Sequence, residues 1–78
     1  MEINKLVGLR IADLRAKKGL SQQRFAYEAE VERSYLSRVE KGEKNISLKT
    51  FGKIIAALGV SYEGFFNQKE LEGLCQKN

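Results

Sequence analysis

Histidine is absent from this chain of 78 residues, and cysteine occurs once, at Cys75. Without them the common zinc-ligand patterns, the Ser-His-Asp and Cys-His arrangements and imidazole acid-base chemistry are excluded. A lone cysteine also builds no internal disulfide framework. No long apolar run and no charged-then-apolar leader is present, so neither a membrane span nor export is expected, and the expected compartment is the cytoplasm. Gly-x-Gly-x-x-Gly and phosphate-loop patterns are missing as well, and the seven glycines are scattered where helices would end. These absences point away from an enzyme and give no reason to expect a metal or a cofactor.

A chain this short makes one small domain, residues 1–78, near the size at which a core is only just sufficient and oligomerisation is a common source of added stability. The net charge is +4, and it is unevenly placed. Residues 1–53 carry 12 Lys+Arg against 7 Asp+Glu, whereas residues 54–78 carry 2 against 3. The positive field therefore belongs to the first two thirds, a distribution that suits a nucleic-acid partner.

Apolar spacing predicts five helical segments and no strand. Ile3, Val7, Ile11 and Leu14 make one side of a first helix that Gly19 closes after Lys17 and Lys18, with Leu6 and Leu9 off that stripe. Ser21 caps a second helix of about two turns, in which Phe25 and Ala29 stack four residues apart. The third helix runs from about Glu32 to Lys41, with Leu36 and Val39 inward and Gly42 ending it. After the polar loop "EKN", Ser47 caps a fourth helix whose Leu48, Phe51, Ile54, Ile55 and Leu58 form the strongest apolar face before Gly59 stops it. Ser61 begins a short fifth helix with Tyr62, Phe65 and Phe66, and Leu71, Leu74 and Cys75 keep helical spacing in a C-terminal tail.

The third helix carries a second pattern. On a helical wheel Arg33, Ser34, Ser37, Arg38 and Lys41 share an arc of roughly 140°, away from Leu36 and Val39. Two short helices joined by a turn of a few residues, the second with a basic outer face, is the plan of a DNA-reading helix-turn-helix, here at about residues 21–42. The sequence also resembles the Cro and phage-repressor type of helix-turn-helix family. Its most specific matches are Gly19-Leu20-Ser21-Gln22, Phe25-Ala26, Ser34-Tyr35-Leu36-Ser37, Val39-Glu40-Lys41-Gly42 and Ala57-Leu58-Gly59-Val60-Ser61. The run "RSYLSRVEKGEKNISL" and the short length look most like the controller proteins of restriction-modification systems. The resemblance implies an all-α, five-helix, lambda-repressor-like fold and a homodimer on a palindromic double-stranded DNA operator, autoregulating its own operon, with RNA polymerase as a further partner. A phage-type repressor, an antitoxin and, further off, a protein-protein adaptor are the competing functions.

Two departures stand out. Glu30 occupies the end of the second helix, where the family often has glycine, and a left-handed backbone there costs a non-glycine residue roughly 1 kcal/mol. Family activators often present acidic side chains on the second helix, where this chain has Gln23 and Tyr27, with Glu28 nearby.

The chemistry assigns provisional roles. Arg33 begins the reading helix, and its planar fork suits the O6 and N7 acceptors of guanine; Ser34, Tyr35 and Arg38 are further candidates for base readout. Gln22, Ser37, Lys41, Lys44, Asn45, Ser47 and Lys49 are candidates for holding phosphates. By resemblance, Arg15 and Glu40 form an ion pair that fixes the reader to its scaffold. The region from about 58 to 75, with Leu58, Val60, Tyr62, Phe65 and Phe66, is the expected dimer interface, because helices this short cannot bury every aromatic.

Overall fold

A computed structural model describes residues 2–67, 69 and 71–73. Five helices follow one another: α1 (Ile3–Lys17), α2 (Gln22–Ala29), α3 (Arg33–Glu40), α4 (Leu48–Leu58) and α5 (Tyr62–Phe65). Among the described residues there is no strand. The start of α2, α4 and α5 is set by a serine whose hydroxyl accepts a free backbone N–H: Ser21 from Arg24, Ser47 from Thr50 and Ser61 from Gly64, at 3.1, 3.1 and 2.9 Å. Lys69 and 71–73 are helical, and Leu71 donates its N–H to the Asn67 carbonyl. Leu74 and Cys75 lie outside the described residues.

The end of α2 decides where α3 points. Glu30 is left-handed, φ 59° and ψ 42°, and the chain reverses there with the Val31 N–H bonded to the Ala26 carbonyl. The departure from glycine thus changes the residue and leaves the turn intact, at the strain cost expected of a side chain in this region.

Ile11, Phe25, Ala26, Ala29, Leu36, Val39, Phe51, Ile54, Ile55, Leu58 and Phe65 form the core, with Val7, Leu14, Leu20, Val31, Tyr35, Ile46, Ala57 and Val60 packed around it. α3 is held between α1 and α2, and α2 also packs on α4. Ile3 and Leu48, read as parts of inward stripes, are exposed; Leu48 is 88% accessible. Both are the first residue of their helix. Leu58 and Phe65, expected between subunits, are buried within the chain, Phe65 in edge-to-face contact with Phe51 and Phe66 at centroid distances of 5.1 and 4.9 Å.

Gly8 sets the approach of α1 to α3. A Cβ there would stand 2.8 Å from the Glu40 carbonyl oxygen and closer still to that of Val39, both at the end of α3. Alanine is the better helix former by up to about 1 kcal/mol, but overpacking against backbone costs about 1–3 kcal/mol and wins. Gly8→Ala is therefore expected to lower stability, read as a lower denaturation midpoint; an unchanged or raised midpoint would show that the two helices have slack.

Candidate nucleic-acid interface

α3 is anchored from behind. Arg15 on α1 meets Glu40 at the end of α3 through two hydrogen bonds, Nε to Oε2 at 2.7 Å and Nη2 to Oε1 at 3.0 Å. Its Nη1 donates to the Leu20 carbonyl at 2.8 Å, so one guanidinium ties α1, α3 and the loop before α2. The Glu40 side chain is 6% exposed and that of Arg15 17%. The hydrogen bonds from Arg15 to Glu40 hold the guanidinium pKa above its ordinary value against the opposing effect of burial, and the charge of Glu40 adds to the rise.

This network also reaches Gln22. Its Nε2 donates to Glu40 Oε1 at 2.9 Å, linking the first residue of α2 to the last of α3. Its sequence-based role was to hold a phosphate, and the structure adds an inner partner. The amide keeps its oxygen and a second N–H for an outside group.

On the opposite side of α3 the expected arc is present. Arg33, Ser34 and Arg38 are exposed, Ser37 is half-buried, Lys41 is exposed, and Leu36 and Val39 face inward. Tyr35 is half-buried against the core, which leaves it at the rim of the face. Arg33, Lys41, Lys44 and Lys49 have no carboxylate within ion-pair distance among the described residues, whereas Arg38 has Glu43 at 4.0 Å. Away from this face, Arg24 pairs with Glu28 at 2.9 Å and Lys17 with Asp13 at 3.1 Å. Charge on this face of α3 is therefore largely available to an anion.

The loop from α3 to α4 is more occupied than its residue types suggest. Lys44 is half-buried, and Asn45 is exposed with its Oδ1 accepting from Asn4 Nδ2 at 2.6 Å. Ser47 has its hydroxyl taken up by capping, accepting from the Thr50 N–H and donating to Thr50 Oγ1 at 3.0 Å. Its candidate role as a phosphate ligand therefore falls to the N–H groups that the first turn of any helix leaves open. Sequence reading passed over Asn4 and Glu43. The approach of α1 to this loop depends on packing between residues 41 apart, and Glu43 becomes a partner of Arg38 only once the chain has turned beyond α3.

A second surface is apolar. Val7, Ile46, Leu48, Phe51, Tyr62 and Phe66 line an open groove of about 350 Å³. Tyr62 is 56% and Phe66 44% exposed, while Val60 is half-buried. Of the residues expected at a subunit interface, Tyr62 and Phe66 present substantial surface, and Leu48 and Ile46, not foreseen there, extend it. No helix among the described residues is long and apolar enough to cross a membrane, and no group of His, Cys, Asp or Glu among them has the makings of a metal site.

A short scaffold helix, a tight turn and an exposed basic helix anchored by a buried carboxylate define a helix-turn-helix module. A family model described as helix-turn-helix matches residues 11–65. The control protein C.MunI of a Mycoplasma species is 39% identical over 69 residues, 88% of each chain, and the control protein C.BamHI of Bacillus amyloliquefaciens is 39% identical over 59 residues, 74% of this chain and 73% of that one. The restriction-modification controller protein C.Esp1396I, solved as a tetramer in complex with its natural operator, superposes with a TM-score of 0.82 at 29% identity, covering 94% of this chain and 93% of that chain. The chain belongs to the Cro-type helix-turn-helix family of transcriptional regulators, and its homologues include restriction-modification controller proteins.

Proposed function

We propose that this protein is a restriction-modification controller, a sequence-specific regulator that binds a palindromic double-stranded DNA operator as a homodimer and acts by binding, without catalysis, in the cytoplasm. The observation that carries the reading is the exposed face of α3, with Arg33 free of carboxylates and the helix locked to its scaffold by Arg15, Glu40 and Gln22. Arg33, with Ser34, Tyr35 and Arg38, reads bases; Lys41, Lys44, Asn45, Lys49, Ser37 and the outer side of Gln22 hold phosphates. Residues 1–78 act as one domain.

The dimer follows from dimensions and from the apolar groove. Half-sites one helical turn apart lie about 34 Å from each other. The chain is 30 Å in its longest extent and offers one reading helix, so two copies are needed to engage both half-sites. The apolar groove, to which α5 and the residue after it contribute Tyr62 and Phe66, is the self-complementary face.

Binding to a palindromic operator and to a scrambled duplex across a salt series tests this. Arg33→Ala is expected to weaken the operator by roughly 1–3 kcal/mol while scarcely changing the scrambled duplex, with two wild-type chains bound per palindrome. Lys44→Ala is expected to weaken both alike and to reduce the salt slope by about one. Equal losses on both duplexes for Arg33→Ala would remove this residue from base readout, and one chain per palindrome would remove the dimer.

A further inference from the structure

The first turn of α1 lies against the phosphate-holding loop. Lys5 packs so closely on Gly42, the left-handed residue after α3, that a Cβ at Gly42 would stand 2.8 Å from Lys5 Cα and 3.2 Å from its Cβ. Lys5 is exposed and has no carboxylate within ion-pair distance among the described residues. Lys17, at the other end of α1, is paired with Asp13. A lysine without a carboxylate partner thus has its backbone and stem against the Lys41–Lys44 stretch although it is 36 residues away from Lys41 in sequence.

Asn4 supplies the second observation. It donates from Nδ2 to Asn45 Oδ1, which fixes the orientation of the Asn45 amide. An asparagine whose oxygen is engaged has both amide hydrogens left to give. In an exposed loop next to free lysines, those donors suit a phosphodiester oxygen.

We propose that the first turn of α1 belongs to the DNA-holding surface, with Lys5 as a direct phosphate contact and Asn4 as a positioning residue that orients Asn45. The inference rests on the reading of α3 as a DNA reader and adds to it a contact from a different helix. A phosphate neutralised by Lys5 releases condensed counterions, so its signature is the salt dependence of binding.

The test uses the full chain on the operator and the scrambled duplex. Lys5→Ala is expected to reduce the magnitude of the salt slope by about 0.9 on both, and Lys5→Arg to retain it. Lys17→Ala serves as the control from the far end of α1 and is expected to leave the slope unaltered. Asn4→Ala and Asn45→Ala are expected to weaken both duplexes equally, with the double substitution no weaker than either alone. An unchanged slope in Lys5→Ala, whatever its affinity, overturns the contact; fully additive losses for Asn4 and Asn45 overturn the positioning role. If Arg33→Ala still abolishes discrimination in those experiments, the inference fails alone; if it does not, the reading beneath it fails.

Discussion

Replacing Glu40 with alanine is expected to remove about 3 kcal/mol of stability. In a chain of 78 residues that corresponds to a melting temperature lower by roughly 12–24 °C. The carboxylate accepts from Arg15 twice and from Gln22 once while almost fully out of water. Its loss strands a guanidinium in the gap between α1 and α3. Arginine cannot relieve this by giving up its proton. The residual exposure of Arg15 admits some water, which places the loss at the lower end of the range for a broken buried pair.

Titration of Arg15 itself adds no pH dependence in the working range. Its pKa is raised by folding, so its contribution is complete below the ordinary arginine value and is lost only as pH climbs through the still higher folded value. Glu40→Gln separates charge from geometry: the amide oxygen can keep one bond from Arg15, and a smaller loss is expected than for alanine. Thermal denaturation followed by circular dichroism is sufficient to measure both. A Glu40→Ala protein melting within about 3 °C of the parent would mean that α3 is held by apolar packing alone.

That pair was legible in the sequence only through family resemblance, since nothing local joins residues 25 apart. Helix starts were legible for a different reason. Ser21, Ser47 and Ser61 act on N–H groups three residues onward, so their chemistry is contained in a short window. The arc of α3 was equally readable, because periodicity alone separates Arg33, Ser34 and Arg38 from Leu36 and Val39. Periodicity does not say how far the body extends beneath a helix. Leu48 fits the inward spacing of α4 and projects into solvent, and Phe65 and Phe66 are adjacent aromatics of which one is fully enclosed. Within the candidate site, residue type does not show inner partners: Gln22 engages Glu40, and Ser47 engages Thr50. Nothing in the local pattern distinguishes Arg10 from Arg15, the other arginine of α1.

Arg10→Met is the second substitution expected to have a large effect. Arg10 is 1% exposed, the one charged residue in the core of the described chain. Its Nε donates to the Phe65 carbonyl at 2.8 Å and its Nη2 to the Gly64 carbonyl at 2.9 Å, with the guanidinium 6.0 Å from the Phe65 ring and Nη1 3.6 Å from Asp13. A cation at the C-terminal end of a helix satisfies carbonyls that the helix leaves without partners. For α5, only four residues long, this cap is a large share of what holds it to α1. Methionine fills a similar volume but donates nothing, which leaves the buried Phe65 carbonyl without its partner at about 1–3 kcal/mol, partly offset because a desolvated charge is also removed, while the part-buried Gly64 carbonyl keeps the Asn67 N–H at 3.3 Å. The net expectation is a loss of about 1–2 kcal/mol, smaller than that for Glu40→Ala. The two variants should also differ in kind. Glu40 supports the reading helix, whereas Arg10 fixes the helix that carries Tyr62 and leads to Phe66 at the proposed dimer groove. Arg10→Met is therefore expected also to raise the dimer dissociation constant in sedimentation equilibrium at a temperature where the chain remains folded, whereas Glu40→Ala under the same conditions is expected to leave it nearly unchanged. If Arg10→Met melts within about 3 °C of the parent and self-associates equally well, the arginine is not what seats α5.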